Sequence, residues 1–334
     1  MAQQPNIRYY KPKEEFSLDI RDIESFVYDM SRCIKCKGCT WVDHTYMPGA
    51  KFMTRCPSAT LYEYDAYGAY GKLRIAHGMV EGKVDWNETA LEIVYACTLC
   101  GACDVGCKRN LDLEIELTLE ALRVKAVRDG VGPMPAHKKI AENIQKQHNM
   151  YGSPHDKRSA WVPQDAPPAD KADLLYFAGC AASYVNQEIA QSTARIFKAA
   201  GTPYMLMPDE WCCGNTVFSV GMFDEAKAMA ERNIEEVRKT GAKTLVTSCA
   251  EGYRMWKVDY PKLLNMATED LGFEVLHLVE FVDEKVKNGA LTLTKPLDTR
   301  LTYHDACSLS RLSEPWTPYT GKRGWMGCVE PRLK

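Results

Sequence analysis

The sequence predicts an α-helical, cysteine-rich N-terminal domain followed by an α/β domain with a mostly parallel sheet. Three observations carry this prediction: eight of the 14 cysteines lie between Cys33 and Cys107, a proline-containing stretch follows, and short apolar runs then alternate with amphipathic segments. We expect the helical domain at residues 1–148, a linker at 149–173, an α/β unit at 174–300 and the start of a second such unit at 301–334.

The segments between the N-terminal cysteines have helical patterns. From Leu18 to Met30 the apolar residues mostly fit one helix face and lead directly to the first cysteines. Residues 111–119 alternate as in a strand, but the helix-forming residues that continue to Gly130 favour a helix. The first domain is therefore expected to consist of helices that present cysteine-bearing loops.

The linker contains Pro163, Pro167 and Pro168 and few apolar residues in register. After it, three amphipathic helices are expected at about 185–200, 223–240 and 278–288. The candidate strands are Leu174–Phe177, Tyr204–Met207, Thr244–Thr247, Phe273–His277 and Leu301–His304. The run that begins at Leu301 repeats the Leu, Tyr and Cys offsets of the run that begins at Leu174, which alone is weak support for a duplication.

The N-terminal cysteines form two closely spaced triplets, each with a separate fourth cysteine. They are Cys33, Cys36 and Cys39 with the later Cys56, and Cys97, Cys100 and Cys103 with the later Cys107. Three thiolates at this spacing on a tight loop can bind three irons of a cubane, and a remote cysteine binds the fourth. The spacing therefore predicts two 4Fe-4S clusters in a helical ferredoxin-like domain.

We call residues 33–39 the first cysteine loop and residues 97–103 the second cysteine loop. In bacterial-type ferredoxins the fourth cysteine serves the other cluster. By this analogy, Cys107 completes the site of the first loop and Cys56 completes the site of the second. Zinc is the alternative metal, although zinc sites usually use two C-x-x-C pairs rather than triplets with a lone fourth cysteine.

Composition excludes several classes of function. The net charge of -2 and the scattered basic residues give no indication of a nucleic-acid partner. The N-terminus has no basic segment followed by an apolar one, so we expect a cytoplasmic protein whose thiols stay reduced. No apolar run is long enough to span a membrane, but attachment to its inner face through a partner subunit remains compatible.

A second set of cysteines follows the predicted strands. Its members are Cys180, Cys212, Cys213 and Cys249. Because the carboxyl ends of parallel strands meet at one edge of the sheet, where ligands bind at the switch point, we expect these four residues to converge. The same argument makes Cys307, which also follows a candidate strand, a further candidate ligand.

The order of two 4Fe-4S motifs, a Tyr-Gly-x-Pro segment at Tyr151 and the Cys212-Cys213-Gly214 triplet resembles the family of the heterodisulfide reductase D subunit. Its relatives include DsrK-type proteins, iron–sulfur subunits of glycolate and lactate oxidation, and electron-transfer subunits of benzoyl-CoA reductases. In this family each full cysteine-rich CCG domain has a fifth cysteine and holds a noncubane cluster that reduces disulfides. Here the fifth position is Gly252, which favours a four-thiolate site, with Cys307 as a substitute ligand.

The family also has a second CCG domain, whose Cys-Cys pair would fall near position 339, past the last residue of the sequence. We therefore expect a copy that is truncated after Lys334. Cys328 has no partner pattern, and we interpret it as an ordinary thiol.

The resemblance implies an iron–sulfur subunit of an anaerobic oxidoreductase complex. Its two cubanes would pass electrons to a CCG-type cluster, from which the electrons would either reduce a disulfide or thiol substrate or leave for another subunit. The missing cysteine at Gly252 favours relay to another subunit. Because no G-x-G-x-x-G motif follows a strand, the flavin is expected in a partner flavoprotein, and a membrane cytochrome or quinone-reactive subunit is the other expected partner. The alternatives are the iron–sulfur subunit of a flavin-dependent 2-hydroxy acid oxidase, which oxidises glycolate or lactate, and a zinc-stabilised scaffold.

Overall fold

The computed structural model describes residues 19–42, 53–108 and 113–313. They form two compact units. The first unit contains the described residues up to Met134 and the short segment Ser219–Phe223, and the second contains Pro135–Phe218 and the described residues from Asp224 onward. The described residues do not include Leu18, Cys328 or the part of the expected second CCG copy that follows residue 313.

The described part of the first unit is helical. A 3-10 helix, Ile23–Phe26, leads into the first of its α-helices. The α-helices are α1 Val27–Arg32, α2 Pro57–Tyr62, α3 Ala69–Val80, α4 Glu88–Tyr95, α5 Ala102–Lys108 and α6 Ile115–Arg128. Helix α6 contacts α1, α3, α4 and α5, so it forms the centre of this unit.

Helix α6 explains the ambiguous pattern between residues 111 and 130. Eleven of its residues are buried, including Glu116, Glu120 and Arg123. A helix that is buried on all sides has no polar face, and the helical period is therefore absent from its sequence. The favoured interpretation as a helix is correct, while the strand-like alternation reflects polar groups that are buried among the surrounding elements.

The second unit contains a four-stranded parallel sheet in the order β2-β1-β3-β4. The strands are β1 Leu174–Phe177, β2 Tyr204–Leu206, β3 Thr244–Thr247 and β4 Glu274–His277. The helices that follow α6 are α7 Pro135–Gln147, α8 Gly179–Tyr184, α9 Gln187–Ala199, α10 Asn215–Ser219, α11 Phe223–Thr240, α12 Ala250–Arg254, α13 Tyr260–Leu264 and α14 Leu278–Lys287. A single π-helical turn, Met255–Asp259, joins α12 to α13.

The parallel α/β architecture and four of the five candidate strands are correct. The fifth, Leu301–His304, is wrong, because residues 301–306 adopt no regular structure. The side chains of Leu301 and Tyr303 are 74% and 80% exposed, so burial does not favour a strand there. The sequence echo with residues 174–180 therefore has no counterpart in the local structure.

Strand β1 lies inside the sheet and is buried along its whole length. On one face Tyr176 packs edge-on against Trp161 and Phe197, with ring centroids 5.7 and 5.5 Å apart. The chain continues from β1 to β2 on one side and then crosses to β3 on the other, which creates a switch point between β1 and β3. Cys180 lies in the first turn of α8, which follows β1, and Cys249 directly precedes α12, which follows β3.

Candidate metal centres

The two cysteine loops of the first unit share a left-handed backbone at two equivalent positions. In the first loop, Lys35 and Lys37 have positive φ angles of 58° and 62°, and in the second, Leu99 and Gly101 have 49° and 66°. These residues hold the same positions relative to the cysteines. Left-handed conformations are costly for residues other than glycine, so their repetition indicates a loop shape that both sites require.

The second cysteine loop and Cys56 line one recess. It contains about 370 Å³ of space not occupied by atoms, part of it open to solvent, and Cys56, Cys97, Cys100 and Cys103 all border it. Cys56 precedes α2, and Cys103 lies in α5. The structure thus brings together the four thiols that the analogy with bacterial ferredoxins assigns to one cluster.

Two buried cations lie beside this recess. Lys72 is fully buried and donates to Ser58 Oγ over 2.9 Å and to the carbonyl oxygen of Tyr67. Arg123 is 5% exposed and donates to the carbonyl oxygens of Val94, Tyr95 and Cys97. Buried positive charge can offset the negative charge of thiolates and of a cluster that they bind.

Burial controls the titration of two thiols in the second loop. It raises the pKa values of Cys97 and Cys103, while Arg123 and Lys72 act in the opposite direction on Cys97. Without a bound metal these two groups would be neutral thiols, and a metal that binds them would have to displace their protons. A set of buried thiols with neighbouring cations therefore fits an anionic iron–sulfur cluster.

The first cysteine loop lies against the C-terminal end of α5. Burial raises the pKa of Cys39 to about 12, opposed by the backbone N–H of Tyr70, and Cys33 and Cys36 raise it further. At Gly106 an added Cβ would lie 2.3 Å from the carbonyl oxygen of Gly38. Cys107 is the next residue of α5, so its backbone follows directly on this close approach, and its sulfur accepts the N–H of Leu113 over 3.5 Å.

The second unit brings its cysteines together at the carboxyl edge of the sheet. Arg158 Nη2 contacts both Cys180 Sγ and the carbonyl oxygen of His148, and the N–H of Cys212 donates to the same carbonyl, so Cys180 and Cys212 lie close together. Cys212 and burial raise the pKa of Cys180, and burial, with a smaller effect of Cys180, raises that of Cys249. Gly179 has a φ of 77°, and a Cβ there would lie 3.9 Å from Cys249 Cβ. The loops after β1 and β3 therefore touch at the switch point. We call Cys180, Cys212, Cys213 and Cys249 the CCG site.

Buried polar groups fix the backbone of the Cys212–Cys213 pair. Asn233 is fully buried, and its Nδ2 donates to the carbonyl oxygen of Cys212 over 3.0 Å and to the Tyr260 hydroxyl over 2.8 Å. The Tyr260 hydroxyl donates to the carbonyl oxygen of Cys213 over 2.9 Å. The N–H of Cys212 donates to the carbonyl oxygen of His148 over 2.8 Å. Both thiols are thus presented from a rigid loop.

A buried ion pair supports the loop of Cys180. Arg158 Nη1 lies 2.7 Å from Glu210 Oε1, and the two side chains are 8% and 6% exposed. Arg158 Nη2 donates to Cys180 Sγ over 3.5 Å. Burial alone would lower the pKa of Arg158, but Glu210 and Cys180 outweigh burial and raise it. The guanidinium therefore remains charged next to the sulfur.

Trp211 precedes the CCG pair and is stacked between two side chains. Its ring centroid lies 3.6 Å from that of His148, and Arg232 Cζ lies 3.8 Å from the ring centroid in a cation–π contact. Asp209 accepts a hydrogen bond from Trp211 Nε1 over 2.9 Å. This arrangement holds the residues before Cys212 in place.

Cys249 is the N-cap of α12, and its sulfur accepts the N–H of Gly252 over 3.4 Å. A Cβ at Gly252 would lie 3.5 Å from Cys249 Cβ, so a small side chain could be accommodated. The remaining candidate, Cys307, begins a turn, and its sulfur lies 4.0 Å from Ser308 Oγ.

Sequence reasoning did not identify Lys72, Arg123, Arg158, Glu210 or Asn233. These residues belong to no motif with a fixed spacing. Their role depends on being buried, and the sequence does not show which single polar residues are buried. The signal that was available is weak: Arg158 lies in the same segment as Tyr151, and Glu210 lies two residues before Cys212.

Two family models match the chain. The 4Fe-4S dicluster domain matches residues 29–111, and the cysteine-rich domain CCG matches residues 174–255. The N-terminal cysteines therefore carry two 4Fe-4S clusters rather than zinc. No solved structure matches the chain.

The chain is also similar to curated proteins. The D subunit of dihydromethanophenazine:CoB–CoM heterodisulfide reductase of Methanosarcina acetivorans is 33% identical over 90% of this chain and 74% of the relative. Its counterpart in Methanosarcina barkeri is 31% identical over 88% of this chain and 73% of the relative. EtfAB:quinone oxidoreductase of Syntrophomonas wolfei is 25% identical over 92% of this chain and 47% of the relative.

Within the described residues, no helix has the length and apolar character needed to cross a membrane.

Proposed function

Because the chain belongs to the family of the heterodisulfide reductase D subunit, we propose that it is the electron-relay subunit of an oxidoreductase complex. It has two 4Fe-4S clusters in the first unit, and we assign a third iron–sulfur cluster to the CCG site. Bound clusters of this kind supply one-electron chemistry. The thiolates bind them, and the surrounding residues set charge, solvent access and hydrogen bonding.

The proximity of the segments that carry Cys180, Cys212 and Cys249, which follow three different strands, carries the proposal for the CCG site. Thiols that are merely small core residues need not meet at a switch point, where α/β sheets bind their ligands. A 4Fe-4S cluster takes four thiolates, which is the number of cysteines at this site. Within the described residues no group of three or more His, Cys, Asp or Glu side chains is arranged to hold a metal ion, so the proposal depends on the proximity of the cysteine-bearing segments.

The ligand assignment in the first unit follows from the recess and from the approach of α5. We assign Cys56 to the cluster of the second cysteine loop because it lines the same recess. We assign Cys107 to the cluster of the first loop because the backbone of Gly106 packs against that of Gly38. Helix α5 then supplies one thiol to each of the two clusters, from Cys103 and Cys107.

We favour relay over disulfide reduction at the CCG site. Gly252 has no side chain with which to donate a fifth ligand, so the site offers four thiols at Cys180, Cys212, Cys213 and Cys249. The relatives are subunits of redox complexes, and one relative is named for electron transfer between EtfAB and quinone. We therefore propose that this chain exchanges electrons with a flavoprotein and with a membrane cytochrome or quinone-reactive subunit.

Anaerobic isolation with native partners, followed by iron and sulfide analysis and EPR at stepped potentials, tests the proposal. We expect about twelve irons per chain, four for each of three clusters. In the Cys213→Ser variant we expect the loss of about four irons and of one EPR signal, while the two cubane signals persist. About eight irons in the wild type would contradict the third cluster.

Cys307→Ser is the matched control, because Cys307 also lies in the second unit but outside the CCG site as we define it. This variant should retain the iron content and all three signals. If Cys307→Ser also loses the third signal, Cys307 is a ligand and the four-residue assignment is wrong. Reduction of a disulfide by the isolated chain, lost in Cys213→Ser, would replace relay by disulfide chemistry.

A further inference from the structure

Arg158 donates a hydrogen bond to a sulfur of the CCG site. Its Nη2 lies 3.5 Å from Cys180 Sγ and 3.0 Å from the carbonyl oxygen of His148. The same carbonyl accepts the N–H of Cys212. Arg158 therefore contacts one thiol directly and shares a backbone acceptor with a second cysteine.

Glu210 connects the same guanidinium to the backbone that precedes Cys180. Its carboxylate accepts the N–H of Ala178 over 3.1 Å and that of Gly179 over 3.0 Å. It also accepts from Arg158 Nη1 over 2.7 Å. The pair thus holds the end of β1 by its backbone and the thiol of the next residue by its side chain.

A buried ion pair is an expensive way to stabilise a fold, because both charges lose their hydration. Replacement by apolar residues is often neutral or stabilising, so stability alone gives little reason for Arg158 and Glu210 in this place. A charge beside a cluster has a different effect. Hydrogen bonds to the ligand sulfurs and nearby positive charge stabilise the reduced, more negative state, and they raise the reduction potential.

We propose that Arg158 is a positioning residue of the CCG site that orients Cys180 and raises the reduction potential of the cluster bound there. This inference rests on the proposed cluster at that site. The electron that enters the cluster adds one negative charge, and the guanidinium, which is always protonated, lies against one of its ligand sulfurs. Glu210 keeps the guanidinium in this orientation through Nη1, whereas Nη2 contacts the sulfur.

Three variants of the full chain, isolated anaerobically with native partners, test the proposal. Arg158→Lys keeps the positive charge. Arg158→Met removes both the charge and the donors at similar length, and Arg158→Met combined with Glu210→Gln also removes the buried carboxylate that would otherwise stay uncompensated. Arg195→Gln is the control, because Arg195 pairs with Asp165 over 3.0 Å at the exposed surface of the same unit.

EPR redox titration is the measurement, with iron content and thermal unfolding measured alongside it. In both variants that carry Arg158→Met, the third EPR signal, which we assign to the CCG site, should have a lower midpoint potential than in the wild type. Arg158→Lys should keep most of the wild-type midpoint potential. The two cubane signals serve as an internal reference and should stay in place. Arg195→Gln should leave all three midpoints unchanged.

A purely structural role would lower the unfolding temperature or the iron content without moving the midpoint. The double variant with full iron and a wild-type midpoint for the third signal would therefore overturn the inference while the proposed function stands. A wild-type chain with about eight irons and no third signal would overturn both, because the CCG site would then hold no cluster. The two failures are distinguished by the wild-type iron count.

Discussion

Asn233 connects two elements at the scale of single side chains. It is fully buried on α11 and donates to the backbone of the CCG loop and to Tyr260. Tyr260 in turn donates to the carbonyl oxygen of Cys213. One amide therefore supports both halves of the cysteine pair, and its loss would leave buried acceptors without partners.

We expect Asn233→Ala to lower the free energy of unfolding by about 2 kcal/mol, since buried acceptors lose their donors. The third EPR signal and its iron should decrease, while the cubane signals persist. Asn288→Ala is the control, because Asn288 makes an exposed hydrogen bond of 3.1 Å to the N–H of Ala290 in the same unit. Iron analysis and thermal unfolding check the prediction, and an Asn233→Ala variant with full iron at the CCG site would contradict it.

At this scale the sequence predicts the thiols but not the residues around them. Cysteine spacing is set by the chemistry of the ligand and is therefore visible as a pattern. Lys72 and Glu210 are identified only by their burial and their partners, which depend on residues that are distant in sequence. The same holds for Arg158, whose contact with Cys180 joins positions 22 residues apart.

At the scale of elements, α5 and the first cysteine loop depend on two glycines. Gly106 lies within α5, and a Cβ there would lie 2.3 Å from the carbonyl oxygen of Gly38 and 2.4 Å from Arg55 Nη1. A backbone carbonyl in a tight loop cannot move as a side chain can. The contact therefore sets how closely Cys107 approaches the first loop.

We expect Gly106→Ala to destabilise the first unit by about 2 kcal/mol through overpacking and to lower the iron of one cubane. Gly78→Ala is the comparison for overpacking without contact to a cysteine loop, because the Cβ of this helical residue would meet only the Val84 side chain, 2.6 Å from Cγ2 and 3.3 Å from Cβ, and no backbone carbonyl. The ratio of the two cubane EPR signals and the unfolding temperature provide the measurement. Equal effects of the two substitutions would argue against a special role of the Gly106 contact.

In the second unit, the helices with a clear amphipathic period were predicted from the sequence, whereas two short helices without such a period were not. Helices α9, α11 and α14 have one buried face each, and their predicted positions agree with the structure to within a few residues. Helices α12 and α13 and the π-helical turn between them follow Cys249 with buried residues such as Trp256 and Tyr260, and they show no clear period. The candidate strand at Leu301 failed because an apolar run alone does not provide a neighbouring strand.

At the scale of the whole molecule, the cysteines fall into two groups that belong to different units. The eight N-terminal cysteines lie in the first unit and the CCG site lies in the second. The family and the class of cofactor could be predicted from the order of the motifs, since each motif is local in sequence. The pairing of remote ligands could not, because spacing alone allows Cys56 and Cys107 to serve either cluster.

This ambiguity leads to a prediction about pairs of variants. If Cys107 completes the cluster of the first loop, Cys36→Ala and Cys107→Ala should weaken the same EPR signal. Cys56→Ala and Cys100→Ala should weaken the other, because both residues line the recess of the second loop. EPR spectra and iron analysis of the four anaerobically isolated variants provide the measurement.

The opposite pairing has a distinct signature. If each triplet took the next cysteine along the chain, Cys56→Ala would match Cys36→Ala, and Cys107→Ala would match Cys100→Ala. In the exchanged arrangement each cluster joins two distant segments, so the loss of one cluster should loosen the 33–56 region and α5 together. Hydrogen exchange should therefore increase in both segments for Cys56→Ala, whereas sequential pairing predicts an increase confined to the 33–56 region.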